Sequence, residues 1–219
     1  MVFDWAYALE LLPRFVPALW VTVQATLAGM LIALILGLVL ALLRRCSLAW
    51  IRWPTAVLIE FVRSTPLLVQ MYFMFYVLPE TGLRMSAFTT GALALGLHYA
   101  AYCAEVYRAG LEAVPRGQWE AAAALNLGHW RTLRRVIVPQ AVARVVPALG
   151  NYLVAMFKDT PLLSAITVVE MLQLAKMMGA ESFRYVEALT LVGLFFLVLS
   201  LCAALLIRGL ERRMQVAHG

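Results

Sequence analysis

Charge is scarce in these 219 residues: aspartate, glutamate, lysine and arginine make up 14% of the chain, while 63% is hydrophobic and the mean hydropathy is +0.84. So little charge cannot clothe a water-facing surface, which excludes an ordinary soluble domain and fits a chain that crosses the bilayer several times. Cysteine is also sparse. Cys46, Cys103 and Cys202 are odd in number, far apart and in or beside apolar stretches, which excludes a disulfide framework and a cysteine metal cluster. No Gly-x-x-x-x-Gly-Lys-Ser/Thr loop occurs anywhere, so the chain does not hold ATP by that means. No basic segment precedes the first apolar run, where Asp4 and Glu10 stand instead; that run is expected to be retained rather than cleaved as a signal peptide. The net charge of +6 raises nucleic acid as a partner. The arginines, however, fall in short clusters between apolar runs without a basic face or stacking platform, and read as topology signals.

What is present is length of apolar sequence. Five runs, at about 15–43, 55–78, 87–107, 146–169 and 186–207, are long enough to cross about 30 Å of hydrocarbon at about 1.5 Å per residue. The expected fold is all-α, a single polytopic membrane domain over 1–219 with five transmembrane helices. Twelve of the eighteen basic residues then share one side: Arg44, Arg45, Arg52, Arg108, Arg116, Arg131, Arg134, Arg135, Arg144, Arg208, Arg212 and Arg213. That side is expected to be cytoplasmic, which puts the amino terminus outside and the carboxyl terminus inside. Within the first run, Gly29, Ala33, Gly37 and Ala41 recur every four residues and make a face that lets another helix approach closely. Its partner is either another helix of this chain or a second subunit. The last run has no ionisable residue between Glu187 and Arg208 except Cys202, and reads as a lipid-facing anchor.

The segment at about 113–140 differs from the rest. It holds Gly117-Gln118-Trp119-Glu120-Ala121-Ala122-Ala123-Ala124-Leu125-Asn126-Leu127-Gly128 and, later, Val136-Ile137-Val138-Pro139. The alanines predict a narrow helix able to enter a groove, with Glu120 in its first turn and Gly128 at a left-handed stop. Beyond it, Trp130, Leu133 and Ile137 recur at helical spacing opposite Arg131, Arg134 and Arg135, as in a stretch lying in the membrane interface.

Ionisable residues inside the apolar runs are costly and mark either function or structural ion pairs. Lys158 and Asp159 fall deep in the fourth run, just before Pro161, which frees a backbone carbonyl. They supply one donor and one acceptor, the pair a zwitterionic solute needs; a structural ion pair is the alternative. Glu60 and Arg63 share a helical face below Pro66, which is able to kink the helix, with Gln70 deeper in. They read as a gate or a structural pair. Glu105 and Arg108 repeat the spacing and are expected to support the cytoplasmic loop. His98 reads as a hydrogen-bonded packing residue rather than a proton relay.

Several motifs together carry a resemblance. Glu120-Ala121-Ala122, Gly128 and Ile137-Val138-Pro139 resemble the signature loop of the inner-membrane subunits of ATP-binding-cassette importers. Glu60-Phe61-Val62-Arg63-Ser64-Thr65-Pro66-Leu67-Leu68-Val69-Gln70, Ala104-Glu105-Val106-Tyr107-Arg108-Ala109-Gly110 and Lys158-Asp159-Thr160-Pro161-Leu162 are similar to the polar amino-acid branch. Gly150-Asn151-Tyr152-Leu153 and the stretch through Thr167 resemble ectoine and hydroxyectoine permease subunits most. The resemblance covers nearly the whole chain and implies the type I importer fold in a bacterial inner membrane. It makes Glu120, Ala121, Ala122 and Gly128 the coupling helix, and Lys158, Asp159 and Ser164 candidates for the solute pocket. It also implies that the chain is not itself an enzyme and holds no cofactor or metal. ATP and Mg would belong to a partner dimer of ATPases, with a second permease subunit, identical or paralogous, and an extracytoplasmic solute-binding protein completing the system. A secondary transporter or channel working without an ATPase, and a purely scaffolding membrane subunit, are the competing readings.

Overall fold

The computed structural model describes the backbone of residues 3–216 and side chains up to residue 209, and among the described residues every regular element is helical. Arg212 and Arg213 of the basic set lie beyond the described side chains. The first helix, α1 (Trp5–Arg44), begins well before the apolar run because Asp4 caps it, accepting from the Ala6 and Tyr7 backbone N–H groups at 3.0 and 3.2 Å. Pro13 and Pro17 lie inside it without ending it.

The second apolar run, expected as one span that Pro66 is able to kink, is broken there into two helices. These are α2 (Ala49–Ser64) and α3 (Leu67–Tyr72), the latter prolonged by a π turn at Phe73–Val77 and a 3-10 turn at Leu78–Thr81. The two halves meet at 104°. Pro66 has no N–H to continue the ladder, and its ring holds Thr65 in extended backbone at φ −105°, ψ 139°. The carbonyls stranded by the break are taken up locally. Gln70 Nε2 donates to Val62 O at 2.8 Å and Thr65 O at 3.2 Å, and Thr65 Oγ1 donates to Phe61 O at 3.0 Å. Val62 O also accepts from Thr65 Oγ1 at 3.2 Å, so Gln70→Leu should strand chiefly the Thr65 carbonyl and cost about 1–3 kcal/mol, read as a lower Tm of the detergent-solubilised protein; an unchanged Tm would mean Gln70 does not hold the elbow.

The third run is α4 (Ala87–Glu112), and it is the spine of the bundle. Three helical stretches are long and apolar enough to cross a membrane alone, Trp5–Arg44, His129–Ile166 and Tyr185–Gly209, with the elbow pair a fourth if its halves count as one span. α4 is not among them because Thr89, Thr90, His98, Tyr99 and Tyr102 dilute its apolar sequence; Leu95, His98, Tyr99, Ala100, Cys103 and Ala104 are all buried. The small-residue face of α1 meets this helix. A Cβ added at Gly37 would lie 2.6 Å from Cys103 Cβ and 3.0 Å from Ala100 O, and one at Gly96 would lie 2.5 Å from Ile32 Cγ2. The seam partner is thus a helix of the same chain.

The remaining elements are α5 (Arg116–Ala124), α6 (His129–Thr132, continued by a π turn at Leu133–Ile137), α7 (Val138–Asp159), a 3-10 turn at Thr160–Ile166, α8 (Met171–Ser182) and α9 (Tyr185–Val216). The fourth run was expected to stay helical to about residue 169; α7 stops at Asp159. Pro161 cannot donate to the Phe157 carbonyl, which accepts instead from Thr160 Oγ1 at 2.7 Å, and Thr167 closes the 3-10 turn at φ 66°. α9 is buried on one side and exposed on the other. Ala188, Leu191 and Val192 pack with Leu11 and Phe15 of α1 and Met178 of α8, while Leu197, Val198 and Leu201 stay exposed.

The end of the bundle that holds the start of α1 is tied by charge. Arg184 Nη2 meets Glu187 Oε1 at 2.5 Å and Asp4 Oδ2 at 3.4 Å, and the guanidinium lies 4.3 Å from the centre of the Tyr7 ring. The Tyr7 backbone N–H, with Arg184, holds the Asp4 carboxyl below the usual carboxylate range. Because the folded value is the lower one, this contribution is present above the ordinary range and is lost as pH falls through the folded value.

Candidate functional site

One face of α4 and one face of α7 bring aromatic rings and a carboxylate together. Tyr99 and Tyr102 are three apart on α4; Tyr152 and Asp159 are two turns apart on α7. The Tyr99 hydroxyl donates to Asp159 Oδ2 at 2.7 Å. Ring centroids stand 6.1 Å apart for Tyr99 and Tyr102, 6.0 Å for Tyr99 and Tyr152, and 5.7 Å for Tyr102 and Tyr152, so the three rings form a near-equilateral triangle.

The elbow reaches the same cluster. The Arg63 guanidinium lies 5.4 Å from the Tyr102 ring centre, and the Tyr102 hydroxyl donates to the Arg63 carbonyl at 3.4 Å. His98 Nδ1 donates to Gln70 Oε1 at 3.2 Å, the tautomer that follows because Gln70 Nε2 already faces carbonyls. His98 is therefore the packing residue expected, and it links the hinge to the rings. Faces of tyrosine attract cations, and a carboxylate at their edge adds charge, so the cluster can hold a cationic nitrogen.

The residues singled out from sequence are placed apart. Asp159 belongs to the cluster. Lys158 is exposed, because neighbouring positions on an α-helix diverge by about 100°, and among the described residues it makes no ion pair. Ser164, in the 3-10 turn, accepts from Lys176 Nζ at 3.2 Å. Glu60 and Arg63 do meet, at 3.3 Å. Glu105 and Arg108 meet at 2.9 Å, Arg108 also reaches Glu112 at 2.5 Å, and Glu105 pairs with Arg44, which ties the ends of α1 and α4 together. Tyr99, Tyr102 and Tyr152 were not foreseen as a group, although two tyrosines three apart inside an apolar run were a readable signal.

The second place of interest is α5, which stands off the bundle on a small apolar foot. Ala122 is buried, and Trp119 packs with Val114, Ile137 and Ala141 and stacks on His129 at 6.2 Å. Glu120 and Ala121 face outward. Two expectations need correcting here. The helix starts at Arg116 after Pro115, so Glu120 falls in the second turn rather than the first. The left-handed residue is Asn126 at φ 54°, while Gly128 is extended at φ −60°, ψ 148°. Asparagine tolerates that conformation, and a Schellman closure forms: Asn126 N–H donates to Ala123 O at 2.9 Å and Leu127 N–H to Ala122 O at 3.0 Å. The π turn after α6 shifts the helical phase between Trp130 and Ile137, so the two do not share a face: Ile137 is buried while Trp130 is 72% exposed.

Bundle, elbow and projecting helix together define a membrane transport component. Residues 10–216 match the family described as binding-protein-dependent transport system inner membrane component, and the chain belongs to that family. It is 51% identical over 203 residues to a probable amino-acid ABC transporter permease of Sinorhizobium fredii, covering 93% of this chain and 88% of that one. It is 33% identical over 219 residues to the glutamine transport system permease protein of Escherichia coli, covering 99% and 100%. The crystal structure of an amino acid ABC transporter with histidines aligns at a TM-score of 0.92 and 34% identity, over 97% of this chain and 100% of that one. The MetNI methionine ABC transporter, at 18% identity and a TM-score of 0.77, shares the fold.

Proposed function

We propose that this chain is the permease subunit of an ATP-driven importer for amino acids or a related zwitterionic solute, the ectoine type among them. The supporting observation is the cluster of Tyr99, Tyr102, Tyr152 and Asp159 on the two central helices of a permease fold. Asp159 receives the cationic nitrogen, and Lys158 and Ser164 line the approach. The chain makes five crossings, with the amino terminus outside and the carboxyl terminus inside, and shares the path with a second permease subunit. The chain itself catalyses nothing. An extracytoplasmic binding protein delivers the solute, and an ATPase dimer that binds ATP and Mg grips α5 through Glu120, Ala121 and the segment before Gly128, with Ala122 anchoring the helix. Glu60 and Arg63 work at the elbow, and Glu105 and Arg108 support the coupling end.

Reconstitution of the assembled complex in proteoliposomes tests this. ATP-dependent uptake of an amino acid or ectoine supports it; solute movement without ATP would show a secondary transporter or channel, and no movement a scaffold. A sharper test uses Gly128. A Cβ there meets nothing within 4 Å, so Gly128→Leu should leave the isolated permease as stable as before. With Glu120→Arg in the same chain, uptake should drop at least ~10-fold, in keeping with loss of a charged contact. Full pumping by that double variant would rule out α5 as the coupling element.

A further inference from the structure

We infer that Arg63 is the carboxylate-binding residue of the tyrosine cluster, so that the solute is a compact zwitterion seated between Arg63 at Tyr102 and Asp159 at Tyr99. The inference rests on the cluster being the solute site proposed above. It adds a specificity-determining residue from a different element, the elbow.

Arg63 carries an unmet donor. Arg63 Nε is shielded from solvent and has no hydrogen-bond partner among the described residues, while Nη1 is the atom that meets Glu60 at 3.3 Å. A buried donor without an acceptor is unfavourable, and a charged one more so. Arginine holds carboxylates through two parallel N–H groups, and the edge carrying Nε and Nη2 is such a fork. Glu60 thus engages one end of the guanidinium and leaves the fork without an acceptor. The group is also held in place, 5.4 Å from the Tyr102 ring centre with that residue's hydroxyl on the Arg63 carbonyl.

Position completes the case. Tyr102 and Tyr99 are neighbouring corners of the ring triangle, 6.1 Å apart, and each corner carries one pole: Arg63 at the first, Asp159 at the second. Opposite charges at adjacent tyrosines, Arg63 over one ring and Asp159 at the hydroxyl of the other, match a molecule whose carboxylate and cationic nitrogen are separated by a few bonds. Lys158, the cation adjacent in sequence, is exposed and outside the ring cluster. Because Arg63 is next to the Thr65–Pro66 break, binding a carboxylate there would also load the hinge.

Equilibrium binding to the assembled complex in nanodiscs, without the binding protein, tests the inference. The probes are tritiated L-glutamine, L-arginine and ectoine, with 4-aminobutanamide and agmatine as carboxyl-free competitors of the first two. Wild type should prefer the carboxylate-bearing amino acid over its counterpart by about 10–100-fold, the range for a charged hydrogen-bond pair. Arg63→Gln should bring that ratio close to one, whereas Asp159→Asn should weaken both ligands and leave the ratio in place. A ratio unchanged in Arg63→Gln, or equal weakening of both ligands, overturns the assignment and makes Arg63 structural. Should Arg63→Gln fail to assemble, Arg63→Lys keeps the charge and loses the fork; a several-fold fall in the ratio supports the inference and a full ratio overturns it. ATP-driven uptake of these probes without any nanodisc binding would sink the inference alone. Absence of both would sink the proposed function with it.

Discussion

A Gly37→Leu chain should yield almost no monodisperse protein after detergent extraction, whereas Gly193→Leu should behave like the wild type. At Gly37 the first added carbon already sits 2.6 Å from Cys103 Cβ, 3.0 Å from Ala100 O and 3.3 Å from Ala104 N. These are backbone atoms or the carbon next to backbone, so no side-chain rotation relieves the overlap. α1 and α4 must separate, and the cost exceeds about 3 kcal/mol, a large part of a typical domain's stability. Gly193 is the control because a Cβ there meets nothing within 4 Å and the helix gains propensity from losing a glycine. Size-exclusion chromatography of tagged variants reads the difference. Equal yields from both would mean the seam between α1 and α4 is looser than described.

The second large effect is on transport. Asp159→Asn keeps the shape of the side chain and an oxygen able to accept from the Tyr99 hydroxyl, so the fold should survive. What goes is the negative charge beside the ring triangle. ATP-driven uptake at low solute concentration should fall ~10–100-fold, from losing a hydrogen bond to a charged group, with assembled protein unchanged. Tyr99→Phe, which removes the hydroxyl and leaves the carboxylate, should give a smaller loss. Wild-type uptake by assembled Asp159→Asn would take this residue out of the path.

Apolar length and small-residue spacing made the helices legible, because both are set by the bilayer and by close packing that any partner helix imposes. The Gly29 to Ala41 stripe was readable as a seam for that reason, though not which helix filled it. The elbow was half legible: Pro66 announced a kink, but not 104°. How far a chain bends depends on what satisfies the stranded carbonyls, and Gln70 lies too far along the sequence for its side chain to be read as that partner. Local backbone was misread where two residues competed for one task. Asn126 and Gly128 both suit a helix end, and the earlier of them took the left-handed position because the Schellman bonds to Ala122 and Ala123 close there. Adjacent residues were the other trap. Lys158 and Asp159 looked like a pair, yet a helix sends neighbours to different faces, and the partners of Asp159 came from α4.

Cys103 lies beneath Gly37 with no exposed surface, whereas Cys46 is half-buried and Cys202 is open to its surroundings. A chain with the other two cysteines replaced by serine would carry one native thiol that an alkylating reagent reaches only when the first helix lifts away from its neighbour. The rate of that labelling during turnover would then time the opening of the bundle, with no foreign probe placed in the seam.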